Sequence, residues 1–154
     1  MKVIYTDQVV PSDLNSFNSL FLIGPTPRSP DVSSWRPEAL DILSRLKFNG
    51  YVFVPEWSNY NVSMTARERC EWERHGLTYC RRLVCWVPRE KQHMPAFTTN
   101  VEFGFYLGRR PKDFYYGRPF WAEECGYLDW LYHEITDREP AETLLSLLEE
   151  VLKT

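Results

Sequence analysis

Long hydrophobic runs are missing from this 154-residue sequence. Its densest, Leu20–Ile23 and Leu83–Val87, fall far short of the roughly 20 residues that span a bilayer. Histidine is scarce, at three residues. None stands at finger spacing from the four cysteines, and Cys70, Cys80, Cys85 and Cys125 form no CxxC pair. The expectation is no metal site and four reduced thiols. An excess of one charge is also missing: 18 Lys and Arg against 21 Asp and Glu leave −3. That removes the basic footprint of a nucleic-acid polymer binder. Internal repeats, low-complexity stretches and the GxxxxGK[ST] phosphate loop are absent too. Met1 to Asp7 lacks the apolar run of a signal peptide, so the protein is expected to be cytoplasmic, with no membrane partner.

What is present is ordinary in bulk. Apolar residues make up 44% and charged residues 25%, as in a soluble globular chain. The length predicts a single domain over 1–154 with a substantial core. Aromatics are abundant at 16%, with six Trp, which suits a thick core, a stacking pocket, or both.

Short apolar runs alternate with helical patterns. Leu20–Ile23 ends at Gly24-Pro25, Tyr51–Val54 at Pro55 and Leu83–Val87 at Pro88. A weaker run, Phe114–Tyr116, is closed by Gly117-Arg118-Pro119. Such runs predict strands buried on both faces, the mark of a parallel sheet covered by helices. Helices are predicted over Glu38–Phe48 (stopped by Asn49-Gly50), Met64–Tyr79, Asn100–Gly108, Tyr127–Ile135 and Ala141–Lys153. The last lies in a C-terminal helical segment, 140–154, with a broad leucine stripe. Residues 1–17 read as an N-terminal extension or an edge strand. Strand alternating with helix predicts right-handed crossovers and one open sheet, with ligands bound outside the carboxyl ends of the strands.

Those strand ends carry the polar candidates. After the first run come Gly24, Pro25, Thr26 and Arg28, then Trp35 and Arg36. Glycine admits a close ligand, the arginines suit a phosphate or carboxylate, and Trp35 suits stacking on a base; a rigid turn before a helix is the plainer reading. Glu56 follows the second run. Thr98-Thr99-Asn100-Val101-Glu102-Phe103-Gly104 places Glu102 three residues after Thr99, which is capping-box spacing. The same spacing puts a carboxylate in a first turn, where the helix dipole favours its ionised form, as a nucleophile at a sugar carbon requires. Gly104 leaves space beside it. Successive helical residues point about 100° apart, so Glu71 and Glu73 do not share a face: one could face a crevice and the other water, a solvated helix face being the plainer reading. Two carboxylates flanking a glycosidic bond are the general solution for transfer with retention.

Phe21 to Ser29 with Trp35 to Leu40, Val52 to Glu56, Glu71 to Glu73, Cys85 to Arg89, Phe97 to Gly104 and Tyr116 to Pro119 together resemble the nucleoside 2-deoxyribosyltransferase-like family. The resemblance runs from about Ser19 to about Trp130. It implies a Rossmann-like, flavodoxin-type sheet of about five parallel strands with helices on both faces, and no cofactor. It implies cleavage of a nucleoside or nucleotide N-glycosidic bond, with the sugar passed to a free nucleobase acceptor or to water. Glu102 matches the family nucleophile, and Glu73 or Glu71 the acid that handles the departing base. Gly24 to Thr26 would line the sugar and base site, and Thr98, Thr99 or Asn100 would hold the nucleophile. A homo-oligomer is implied as well. Arg28 and Arg36 would suit a 5′-phosphorylated substrate. Two other classes stand beside this one: a nucleotide-sensing module without the reaction, and an interaction protein built on the C-terminal leucines.

Overall fold

The computed structural model describes residues 1–12, 14, 18–58 and 63–153. Five strands are present among them: β1 (Lys2–Tyr5), β2 (Ser19–Ile23), β3 (Tyr51–Val54), β4 (Arg82–Trp86) and β5 (Phe114–Gly117). Five helices accompany them: α1 (Arg36–Arg45), α2 (Ala66–Tyr79), α3 (Phe97–Arg109), α4 (Gly126–Thr136) and α5 (Leu144–Leu152). All strand pairs are parallel, in the order β1-β3-β2-β4-β5. This is the expected open Rossmann-like α/β sheet. The 1–17 segment supplies an edge strand through Lys2–Tyr5, while residues 13 and 15–17 lie outside the described residues.

Alternation along β2 shows how the layers form. Phe21 and Ile23 enter one core with Trp72 and Leu77 of α2, Phe103 and Leu107 of α3, and Leu128 and Tyr132 of α4. Leu20 and Leu22 enter the other with Ala39, Ile42 and Leu43 of α1 and the leucines of α5. Leu144, Leu147, Leu148 and Val151 are all buried there. At about 1.5–3 kcal/mol for each buried aliphatic side chain, this stripe rivals the roughly 5–15 kcal/mol net stability of a domain. It is core, and not a docking face for a partner.

Helix limits depart from the expected ones for local reasons. The α1 helix starts at Arg36, before Pro37, and stops at Arg45, because Lys47 takes a left-handed φ of 56°. Asn49-Gly50 therefore leads into β3 and does not end the helix. The α2 helix starts at Ala66: the Thr65 hydroxyl accepts from the Glu68 N–H, and the Glu68 carboxylate accepts from the Thr65 N–H at 2.7 Å. Ala141 is held out of α5 by its bridge to Gly117, so that helix begins at Leu144 behind a Thr143–Ser146 capping box. No helix among the described residues is long and apolar enough to cross a membrane.

Chain direction reverses its lateral course between β2 and β4: β3 lies on one side of β2, and β4 and β5 on the other. A crevice opens at the carboxyl ends of such a pair.

Candidate active site

A pocket of about 300 Å3 fills that crevice. The Gly24 to Arg28 turn after β2 forms one wall and residues 95–99 with Glu102 form the opposite one; Arg36, Pro55 and Glu73 close it. Gly24 has φ +155°, and a Cβ there would stand 2.3 Å from the Trp86 carbonyl oxygen and 2.7 Å from the Trp35 ring. Only glycine lets the turn lie this close to β4 and α1.

The α3 helix begins at Phe97, after Ala96 at φ 60°, ψ 36°, and no side chain caps it. Thr99 is thus already helical, the Thr99–Glu102 capping box does not form, and Glu102 lies in the second turn. This corrects the expectation of a first-turn carboxylate ionised by the helix dipole. Glu102 is instead pushed up to about 7, first by burial, then by the charge of Glu73, with the Arg36 charge opposing both. No described residue donates a hydrogen bond to its carboxylate. Because its folded pKa lies above the usual 4.5, the folded state binds the proton more tightly than the unfolded one. That contribution is full in acid and lost as pH rises towards about 7. Glu102→Gln is therefore expected to raise Tm relative to the wild type at pH 8 and to give a much smaller gain at pH 4. Equal gains at both pH values would contradict the buried carboxyl.

On α2, Trp72 turns into the core and its neighbours diverge. Glu71 is exposed and pairs with Arg67 at 2.9 Å. Glu73 is partly buried and lines the pocket with Glu102. The choice the sequence left open falls on Glu73. Burial raises its pKa, while the charges of Arg69 and Arg36 lower it.

Arg36 and Trp35 are brought to the site in unexpected roles. The Arg36 side chain is 1% exposed and pairs with Glu56 at 2.7 Å. It also donates to the carbonyl oxygens of Leu22, Gly24 and Pro25 and to the Thr26 hydroxyl. With those partners it braces the Gly24 turn and is no phosphate clamp. Glu56 also accepts from the Ser34 hydroxyl, so it too is scaffold. Trp35 is buried, its indole N–H donating to the Pro25 carbonyl, and it offers no face to a base.

Pro25, Thr26, Arg28, Thr98 and Thr99 line the pocket as expected. Asn100 does not: its side-chain oxygen accepts from Arg89 on the outer side of α3. Gly104 is exposed, with nothing within 4 Å of where its Cβ would be, so it leaves space at the surface and not beside the pocket. Compared with known protein families and with curated proteins, the chain matches none.

Pro27, Pro95, Ala96 and Phe97 of the inner pocket and Trp57 of a larger adjoining one lie in the strand-end stretches where ligands were expected, though none was singled out; Thr6 and Arg69 of the larger pocket were missed. Arg69, one turn before Glu73, had the only visible signal. Among the described residues, no group of three or more His, Cys, Asp or Glu is placed to hold a metal ion. What the pocket offers is a shielded pair of carboxyls at unequal depth beside a rigid, glycine-based turn.

Proposed function

We propose that the protein cleaves the N-glycosidic bond of a nucleoside or nucleotide through a glycosyl ester on Glu102, as a nucleoside 2-deoxyribosyltransferase-like enzyme. The observation that carries this reading is the shared wall. Glu102 lines the inner pocket alone, whereas Glu73 lines both this pocket and the larger one beside it. A sugar with C1′ at Glu102 sends its base past Glu73. Glu102 attacks C1′, the C1′–N bond breaks, and Glu73 gives its proton to the departing base. A second base or water then attacks C1′ and restores the Glu102 carboxylate.

Burial and the charge of Glu73 both favour the protonated form of Glu102, so the pair readily holds a single proton. Positive charge developing at C1′ draws the anion to Glu102, and the base draws the proton through Glu73. Four free thiols, three of them buried, suit a reducing, cytoplasmic compartment. The test is chromatography of a panel of deoxynucleosides, ribonucleosides and their 5′-monophosphates, each with and without an acceptor base. A new nucleoside formed only with acceptor would show transfer, and base released without it would show hydrolysis. No product from any substrate by a folded protein would contradict the reading in favour of a binding module.

The α3 surface supports a second copy of the chain as partner. Phe97, Val101 and Phe105 form a stripe one turn apart and are 65%, 72% and 51% exposed. Tyr127 and Trp130 on the adjoining α4 are exposed as well, their rings 5.6 Å apart. Aromatic side chains present about 150–250 Å2 each. Half or more of that area from each brings the patch to several hundred Å2, towards the roughly 800 Å2 that each partner gives a standard interface. Val101→Glu is expected to convert a dimer to a monomer by light scattering. A wild type that is already monomeric at high concentration would refute this.

A further inference from the structure

The larger compartment, about 810 Å3, opens across the ends of β1 and β3 and adjoins the carboxyl pair at Glu73. Its wall holds three groups that the sugar-transfer steps do not use. Arg69 lies one helical turn before Glu73 and its charge reaches the Glu73 carboxyl. Arg28 lies over the Phe97 ring, 5.2 Å from its centroid. Neither guanidinium pairs with a carboxylate among the described residues, whereas Arg36, Arg67, Arg110, Arg118 and Arg138 each do. The third group is Thr6, just past β1. It is 2% exposed, and its Oγ1 has no hydrogen-bond partner among the described residues. A buried hydroxyl without a partner is costly, and one in a cavity wall is satisfied when a ligand arrives.

Two uncommitted guanidiniums and an unsatisfied hydroxyl around one cavity form a donor set for an anion. We infer that this compartment receives the departing group and that the departing group is an anionic heterocycle, a base bearing a carboxylate. The inference rests on the proposed sugar transfer, which fixes C1′ at Glu102 and sends the base beyond Glu73. A 5′-phosphate belongs to the sugar, which that reaction keeps in the inner pocket; Arg28 lines both compartments, whereas Arg69 and Thr6 line only the larger one and distinguish the base from the phosphate. The balance is simple. As the Glu102 oxygen bonds to C1′, the C1′–N pair passes to the ring nitrogen and Glu73 protonates the base. The base carboxylate stays ionised on Arg28 and Arg69 throughout.

Calorimetry on the full chain tests this with three probes: free orotate, which is a carboxylated pyrimidine, uracil, and 2-deoxyribose 5-phosphate. Orotate is expected to bind at least about tenfold more tightly than uracil, as a charge-assisted contact implies. Arg69 is exposed, so Arg69→Gln should fold, and it is expected to remove most of that ratio. Thr6→Val, close in shape, is expected to weaken orotate severalfold more than uracil. Equal binding of orotate and uracil would overturn the inference, as would equal weakening of both by Arg69→Gln, or a dependence on Arg69 shown by the sugar phosphate instead. Base release from the 2′-deoxynucleosides of uracil and orotate separates the two readings. Uracil release without preference for orotate removes the anionic departing group and leaves the reaction. No release from either, with orotate still bound through Arg69, removes the reaction and leaves an anion site.

Discussion

Glu102→Ala is expected to abolish base release, lowering kcat by at least ~1,000-fold, because the covalent step loses its nucleophile. The loss should not come from unfolding. The carboxylate accepts no hydrogen bond from a described residue, and its ionised form opposes burial. Removing it leaves no partner unsatisfied and takes a costly charge out of the fold. Circular dichroism and Tm would check the fold beside the rate assay. A variant within tenfold of the wild-type rate would sink the assignment of Glu102, whatever its stability.

The second large effect is on pH dependence. The proposed reaction needs the anion on Glu102 and the proton on Glu73, the state of the pair that carries a single proton. The last proton leaves at about 7, where burial and the Glu73 charge hold Glu102. The value of kcat/KM is therefore expected to fall as pH rises through about 7, leaving an optimum on the acid side of neutrality. Glu73→Gln changes the sign of that limb. It cannot supply the proton, so the rate drops by about 100-fold or more, in the usual range for a general acid. It also removes the charge that raises Glu102, so the remaining activity should climb with pH along one limb centred below 7. An alkaline limb kept unchanged in Glu73→Gln would show that another group supplies the proton.

The sheet was legible because its strands are two-sided. Leu20–Ile23 and Tyr51–Val54 are continuous apolar runs closed by Gly or Pro, and both became interior strands. A site at their carboxyl ends followed from the alternation of strand and helix, while the strand order that opens the crevice beside β2 is seen only in the fold. The details of the site did not follow, and each failure has a cause. Glu102 seemed to cap a helix because Thr99 stands three residues before it. The helix in fact starts three residues earlier, at Phe97, behind a left-handed Ala96 that no side-chain pattern announces. Arg36 and Trp35 looked like ligand contacts because polar and aromatic residues after a strand usually face the crevice. Arg36 is buried because backbone carbonyls of its own β2 turn and the carboxylate of Glu56 satisfy it, an arrangement that exists only once β2 and β3 lie side by side. The angular offset of Glu71 and Glu73 was readable, but which of them faces the pocket was fixed by Trp72 entering the core between them.

An ester on Glu102 is open to chemical trapping. A 2′-deoxynucleoside analogue with a 2′-fluorine, which slows both transfer steps, would be incubated with the protein, quenched in acid, digested and mapped by mass spectrometry. One peptide is expected to gain the mass of the fluorinated sugar residue, with fragmentation placing the ester on Glu102 and none on Glu73. An adduct on Glu73 would reverse the roles of the two carboxyls, and base release without any adduct would contradict the covalent route.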